Sequence, residues 1–171
     1  MGVLSEYVRK EAEQLRKEIY KREESVREWT SSIYKLYGQI EQWVKDADGG
    51  AGLLKVVRAP RATFQEPRLG VYELECLQIA VASSRRAEIR PRARHVIATI
   101  KPPGKEPQRA DGMIELRDGN MADYYLFRLR EVDGDHWYIQ SVARWNADPS
   151  DSSVEELDRD GFEAAILRIV T

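Results

Sequence analysis

Apolar residues recur in a three-four rhythm over residues 4 to 46: Ala12, Leu15, Ile19, Val26, Trp29, Ile33, Leu36, Ile40 and Trp43, with Arg22 standing where an apolar residue is due. Side chains three and four apart share one face of an α-helix, so this period predicts a single long amphipathic helix. Written as a heptad, it places Ala12, Ile19, Val26, Ile33 and Ile40 at a, and Leu15, Arg22, Trp29, Leu36 and Trp43 at d. β-Branched residues at a with Leu at d favour a parallel two-stranded coiled coil. The two Trp at d ask for a broader surface than a narrow seam, such as the face of a sheet. Both modes of docking follow. Ile19, Val26, Trp29, Ile33, Leu36 and Ile40 are the expected partner-binding set, toward a protein partner or a second copy of the chain; the alternative is packing against the chain's own domain.

Length bears on that choice. At 1.5 Å per residue such a helix is about 65 Å long, whereas a domain of about 125 residues has a radius of gyration of about 14 Å. The rod outreaches the domain unless it breaks. Thr30, Ser31 and Ser32 compete for backbone hydrogen bonds and Gly38 lowers helix propensity, so a hinge is expected near residues 30–38. Residues 4–28 are crowded with charge and read as a solvated face. Residues 29–44 carry Trp29, Ile33, Tyr34, Leu36, Tyr37, Ile40, Trp43 and Val44 and read as the docked half.

The 42% hydrophobic and 33% charged content is that of a globular chain with enough material for a core. No apolar run approaches the length of a membrane span, and the N-terminal residues lack the apolar core of a signal peptide. No membrane partner is expected, and the expected location is cytoplasmic. Cys76 is the single cysteine, which excludes an internal disulfide and a cysteine-rich zinc site. It reads as a small buried side chain.

After Asp48, Gly49, Gly50 and Gly52 the period changes to two. Leu53–Arg58 reads as a short strand closed by Pro60, and 59–69 as a loop. Val71–Ala82 reads as a long strand whose apolar phase changes near Cys76, as a bulge would produce. Ser83, Ser84 and Arg85 connect to a strand of about Ile89–Ile100, in which Pro91 calls for an edge position or another bulge. Residues 101–109 read as a loop. Then come strands at Met113–Arg117, Asp123–Val132 and His136–Val142, joined by turns at Asp118-Gly119-Asn120 and Asp133-Gly134, the strongest hairpin signals in the chain. In the middle strand Tyr125, Phe127 and Leu129 face one way and Tyr124, Leu126, Arg128 and Arg130 the other, and one of the two faces is core. A Pro149–Ser153 loop leads to a last helix at about Val154–Val170, capped by Asp158 or Ser153. The fold class is α+β: the long helix (1–48), then an antiparallel meander of about six strands with the C-terminal helix packed on it (53–171).

No catalytic, cofactor or metal residue is assigned. Gly49-Gly50-Ala51-Gly52 lacks dinucleotide spacing, and Gly104-Lys105 lacks the rest of a phosphate loop. His95 and His136 have no helix-spaced partner. Asp133, Asp135 and His136 form a local cluster of the kind acidic hairpin turns produce. Asp111, Glu115 and Arg117 echo the acidic strand pair of metal-dependent nucleases without its lysine.

Charge is unevenly spread. Residues 53–109 hold 12 Lys/Arg against 5 Asp/Glu, and residues 110–171 hold 6 against 14. Arg85, Arg86, Arg90, Arg92 and Arg94 are the expected anion-binding set. On a strand Arg90, Arg92 and Arg94 would share one face and offer forks to phosphate or carboxylate. Nucleic acid or an acidic partner is therefore an alternative ligand, though aromatic residues for base stacking are sparse there. The acidic segment lying alongside would instead neutralise the row.

The run Asp133-Gly134-Asp135-His136-Trp137-Tyr138-Ile139 resembles the last hairpin of nuclear transport factor 2-like domains. That resemblance implies a cone with a small-ligand or catalytic pocket, lined here by Tyr125, Phe127, His95 and Trp137. The helix at 154–170 departs from the family pattern. The leading expectation is a non-catalytic interaction or adaptor protein working through its N-terminal helix.

Overall fold

The computed structural model describes residues 2–82, 85–148 and 150–171. Helix α1, Val3–Asp48, runs 46 residues without a break, so the hinge expected near 30–38 is absent. Packing decides this against propensity. Trp29, Ser32, Ile33, Leu36, Tyr37, Ile40 and Val44 are all buried, and the Ser32 hydroxyl donates to Asp135 Oδ2 at 2.5 Å instead of competing for the helix backbone. Gly38 lies on the exposed side with open space around it. The helix stops at Gly49, whose φ of 55° is left-handed. The Asp48 carboxylate then accepts the backbone N–H groups of Gly52, Leu53 and Leu54 at 2.7–2.9 Å and turns the chain into the sheet.

The strands are β1 (Leu54–Glu66), β2 (Gly70–Val81), β3 (Arg85–Ala93), β4 (Thr99–Ile100), β5 (Gln108–Arg109), β6 (Gly112–Asp118), β7 (Met121–Glu131), β8 (Gly134–Ser141) and β9 (Glu155–Glu156). Seven form one antiparallel sheet in the order β1-β2-β3-β6-β7-β8-β9, while β4 and β5 pair separately. The architecture is α+β, a meander with a long N-terminal and a C-terminal helix, with one strand more than expected because Glu155–Glu156 joins the edge of β8.

Several boundaries move, each for a backbone reason. β1 does not end at Pro60: the register with β2 shifts between Arg58 and Arg61, so the proline sits in a bulge and pairing resumes from Arg61 to Glu66, where a loop is expected. That bulge lies opposite Cys76, where Cys76 and Leu77 are both buried and the alternation of β2 changes phase. Pro91 sits next to a second shift, between Pro91 and Ala93, in a strand with neighbours on both sides. β3 ends at Ala93, short of Ile100. The expected connection at Ser83 and Ser84 lies outside the described residues, as does Pro149. In the last hairpin Glu131 pairs with Gly134, so the two loop residues are Val132 and Asp133, one position earlier than expected.

Both faces of the sheet are covered. One carries α1 and the C-terminal helix α3, Arg159–Val170, over Leu74, Leu77, Ile79, Ile89, Ile114, Leu116 and Leu126. Trp43 of α1 meets Phe162 of α3 with ring centroids 5.6 Å apart. α3 starts five residues later than expected because Asp158 caps it, accepting the Gly161 N–H at 2.7 Å. The opposite face is a second core of Phe127, Leu129 and Tyr138, closed by Val96, Ala98, Ile100, Ala110 and Val154. The excursion between β3 and β6 is thus a cover for the far side of the meander. A short helix α2, Val142–Ala147, brings Trp145 to that core. No helix is long and apolar enough to cross a membrane among the described residues.

Candidate functional site

The six positions expected to bind a partner divide at one point along α1. Trp29, Ile33, Leu36 and Ile40 are buried against the chain's own sheet, so these four are core residues and not partner-binding ones. Val26 is half-buried at the rim, and Ile19 is exposed. Helical spacing continues the same stripe toward the N-terminus through Leu15, Val8 and Leu4. Their exposures rise from 44% at Ile19 to 56% at Leu15 and Val8 and 74% at Leu4. The sheet covers the stripe from Val26 onward and leaves the earlier part bare. Leu4 and Val8 lie outside the expected partner-binding set, although their spacing of four is a usable signal.

Where the helix leaves the sheet, a groove of about 510 Å³ opens between Ile19, Arg22, Glu23, Val26 and Arg27 on one side and Leu69, Gly70, Val71 and Tyr72 on the other. Val71 is 67% exposed. The stripe runs into the groove, with Arg22 as the polar side chain between Ile19 and Val26. Charged side chains flank it, six basic and six acidic over residues 3–25.

Beneath the groove a network of charges holds the helix to the sheet. Arg128 of β7 is fully buried. Its guanidinium donates to Glu28 of α1 at 2.5 and 3.4 Å and to the Asp111 carbonyl at 3.1 Å, and lies 4.8 Å over the Trp29 ring. The same Glu28 carboxylate accepts from Arg94 Nε at 3.1 Å and stands 3.5 Å from Arg130. Burial pushes the Glu28 carboxyl up, but the Arg128 bond and the charges of Arg128, Arg94 and Arg130 outweigh it, and it titrates below its ordinary value. On the groove side, Glu66 accepts from the Tyr72 hydroxyl and from the backbone of Arg94 and His95 at 2.8 and 3.0 Å. The exit of the helix from the sheet is thereby fixed at its side chains.

The arginine set does not form a row. The shift between Pro91 and Ala93 breaks the alternation that would align Arg90, Arg92 and Arg94. Arg94 turns inward to Glu28. Arg92 lies 3.4 Å from Glu115. Arg90 lies 3.8 Å from Glu88 and 5.8 Å from the Phe64 ring centroid. Arg85 donates to the Val170 carbonyl at 2.7 Å, while Arg86 is exposed. Arg90, Arg92 and Arg94 thus meet carboxylates within the fold, whereas Arg85 meets a backbone carbonyl and Arg86 lies at the surface.

The pocket set is not brought together either. Tyr125 and Phe127 belong to the second core, with Phe127 fully buried. Trp137 lies on the opposite face, stacked on Trp29 at 6.3 Å. His95 sits at Glu66. The acidic turn gathers Glu131, Asp133 and His136 within 4.8 Å, but the Lys105 ammonium, 2.5 Å from Glu131, already supplies a positive charge there, and Asp135 faces Ser32 and Arg128 instead. Asp111 caps the Arg130 N–H and Glu115 pairs with Arg92 and Arg117.

No family model, curated protein or solved structure matches this chain.

Proposed function

We propose that the chain is a non-catalytic interaction module that assembles through the projecting half of α1, residues 3–25, and the groove at its base. One observation carries the reading: a single apolar stripe is covered by the sheet from Val26 onward and bare from Ile19 outward. Helices in proteins draw most of their stability from packing of an amphipathic face, and the bare segment has no such packing within its own chain. The network of Glu28, Arg94 and Arg128 anchors its base, which presents the bare segment as a rigid docking element.

Light scattering on the full chain and on a Leu15→Asp/Ile19→Asp variant, each purified from the cells that express it, tests this. Both positions are exposed, so the variant folds. The unaltered chain is expected above the 19.7 kDa of one copy, bound to itself or to another protein, and the variant at the mass of one copy. Equal masses overturn the reading.

A further inference from the structure

We infer that the partner of the projecting helix is a second copy of this chain, lying antiparallel along the stripe so that its first turns reach the groove beside Leu69 and Val71. The inference rests on the reading of α1 as an assembly element and adds the identity and direction of the partner.

Direction follows from where the sheet sits. From Val26 onward the sheet occupies the same side of α1 that the bare stripe faces, and the helix continues unbroken to Asp48. A parallel copy on the stripe would carry its own sheet to the same side at the same level, and the two sheets would claim one space. An antiparallel copy carries its sheet to the far end. The heptad rule for isolated coiled coils, which favours a parallel pair from residues at a and d, is overridden here by the body attached to the helix.

Register follows from the stripe itself, in which Ser5 at a and Arg22 at d are the polar interruptions of the bare segment. Antiparallel helices pair a with d. One alignment sets Arg22 against the partner's Ser5, Ile19 against the partner's Val8, and Leu15 against the partner's Ala12. Each large side chain then meets a smaller one, the polar positions meet each other, and two-fold symmetry repeats every pair. The partner's Leu4 comes level with Glu23, where the groove opens toward Leu69 and Val71. Pattern and steric stop agree on one arrangement. Equal numbers of basic and acidic groups leave each bare segment without net charge, and opposed helix dipoles favour this direction.

The flanks give a signature. In this alignment Arg9 lies beside the partner's Arg16 and Glu11 beside the partner's Glu18, whereas a parallel pair would set Glu11 beside the partner's Arg16. Arg16→Glu is therefore expected to tighten an antiparallel dimer several-fold and to weaken a parallel one, as read by sedimentation equilibrium. Cysteine cross-linking gives an independent reading, because Cys76 is buried. A mixture of Val8→Cys and Ile19→Cys chains should form the mixed disulfide, and Val8→Cys alone should not. A dimer in which Val8→Cys links to itself and Arg16→Glu loosens the pair overturns the arrangement but leaves helix-mediated assembly standing. A chain that is monomeric by itself overturns the second copy as partner. If it then binds a different protein and loses it on Leu15→Asp/Ile19→Asp, the assembly reading survives; if it binds none, both fall.

Discussion

Gly112 lets the Trp29 ring lie directly against strand β6: a methyl group there would fall 2.5 Å from Cζ3 and 2.7 Å from Cη2 of the indole. The indole is fully buried and stacks on Trp137, so it has little room to retreat. The requirement is steric, since Gly112 does not have a positive φ. Gly112→Ala is expected to destabilise the fold by about 1–3 kcal/mol, as overpacking of a filled core does. Chemical denaturation measures it. A loss below about 0.5 kcal/mol would mean that α1 shifts freely on the sheet.

How much of this was legible in the sequence differs by element. The long helix could be read because its apolar spacing is local and repeats, and the hairpins because glycine marks their turns. Pro60 suggested an end, yet its strand carries the proline past a register shift, whereas Pro91, which called for an edge position or a bulge, sits beside one. The cover made by Val96, Ala98, Ile100 and Ala110 was hidden because short apolar runs between prolines carry no period. The Glu28 network was invisible for another reason. Glu28, Arg94 and Arg128 come from segments 66 and 100 residues apart, and each alone looks like one more surface charge. Of the binding stripe, the rhythm was plain, but only the placed sheet shows where its covered part ends.

Breaking the Glu28–Arg128 pair should cost more than removing it. Glu28→Gln leaves the fully buried Arg128 beside Arg94 and Arg130 with only Asp135, 3.7 Å away, as a countercharge, and is expected to cost about 2–4 kcal/mol, under the usual figure for a buried pair because Glu28 is partly exposed and Asp135 remains. Adding Arg128→Met removes the stranded charge and should recover part of the loss. The pH dependence has a definite sign. A carboxyl lowered in the folded state contributes stability above its unfolded pKa, lost as pH falls through its folded value. Glu28 therefore contributes stability above its ordinary value of 4.5, and Glu28→Gln should flatten the acid side of the stability curve. Equal stability of the single and double variants would refute the coupling.

The two histidines should separate in an NMR titration. Burial, joined by the Arg94 charge, lowers His95 from its ordinary 6.5 despite the opposing Glu66. The hydrogen bond to Asp133, 2.9 Å away, raises His136 above 6.5. By linkage the His136 contribution is fully present below pH 6.5 and is lost as pH rises through its folded value, while His95 opposes stability as pH falls below 6.5. Asp133→Asn should return His136 toward 6.5 and leave His95 in place. Coincident midpoints in the unaltered chain would contradict this placement of both side chains.

Two isoleucines fourteen residues apart test the division of the helix. Ile19 and Ile33 occupy the same heptad position, but Ile33 is fully buried and Ile19 is 44% exposed. Ile33→Asp puts a carboxylate into a core without a countercharge and is expected to unfold the chain, since unpaired burial of a charge costs more than the roughly 5–15 kcal/mol of net stability can absorb alongside the lost packing. Ile19→Asp should change the stability of a single copy by less than about 0.5 kcal/mol and act only on assembly. Thermal melts at low and high protein concentration separate the two effects, because association makes the melting temperature depend on concentration. The unaltered chain should melt higher as it is concentrated and Ile19→Asp should not, so its deficit should grow with concentration. A deficit that stayed constant would place Ile19 in the core and remove the bare stripe on which assembly depends.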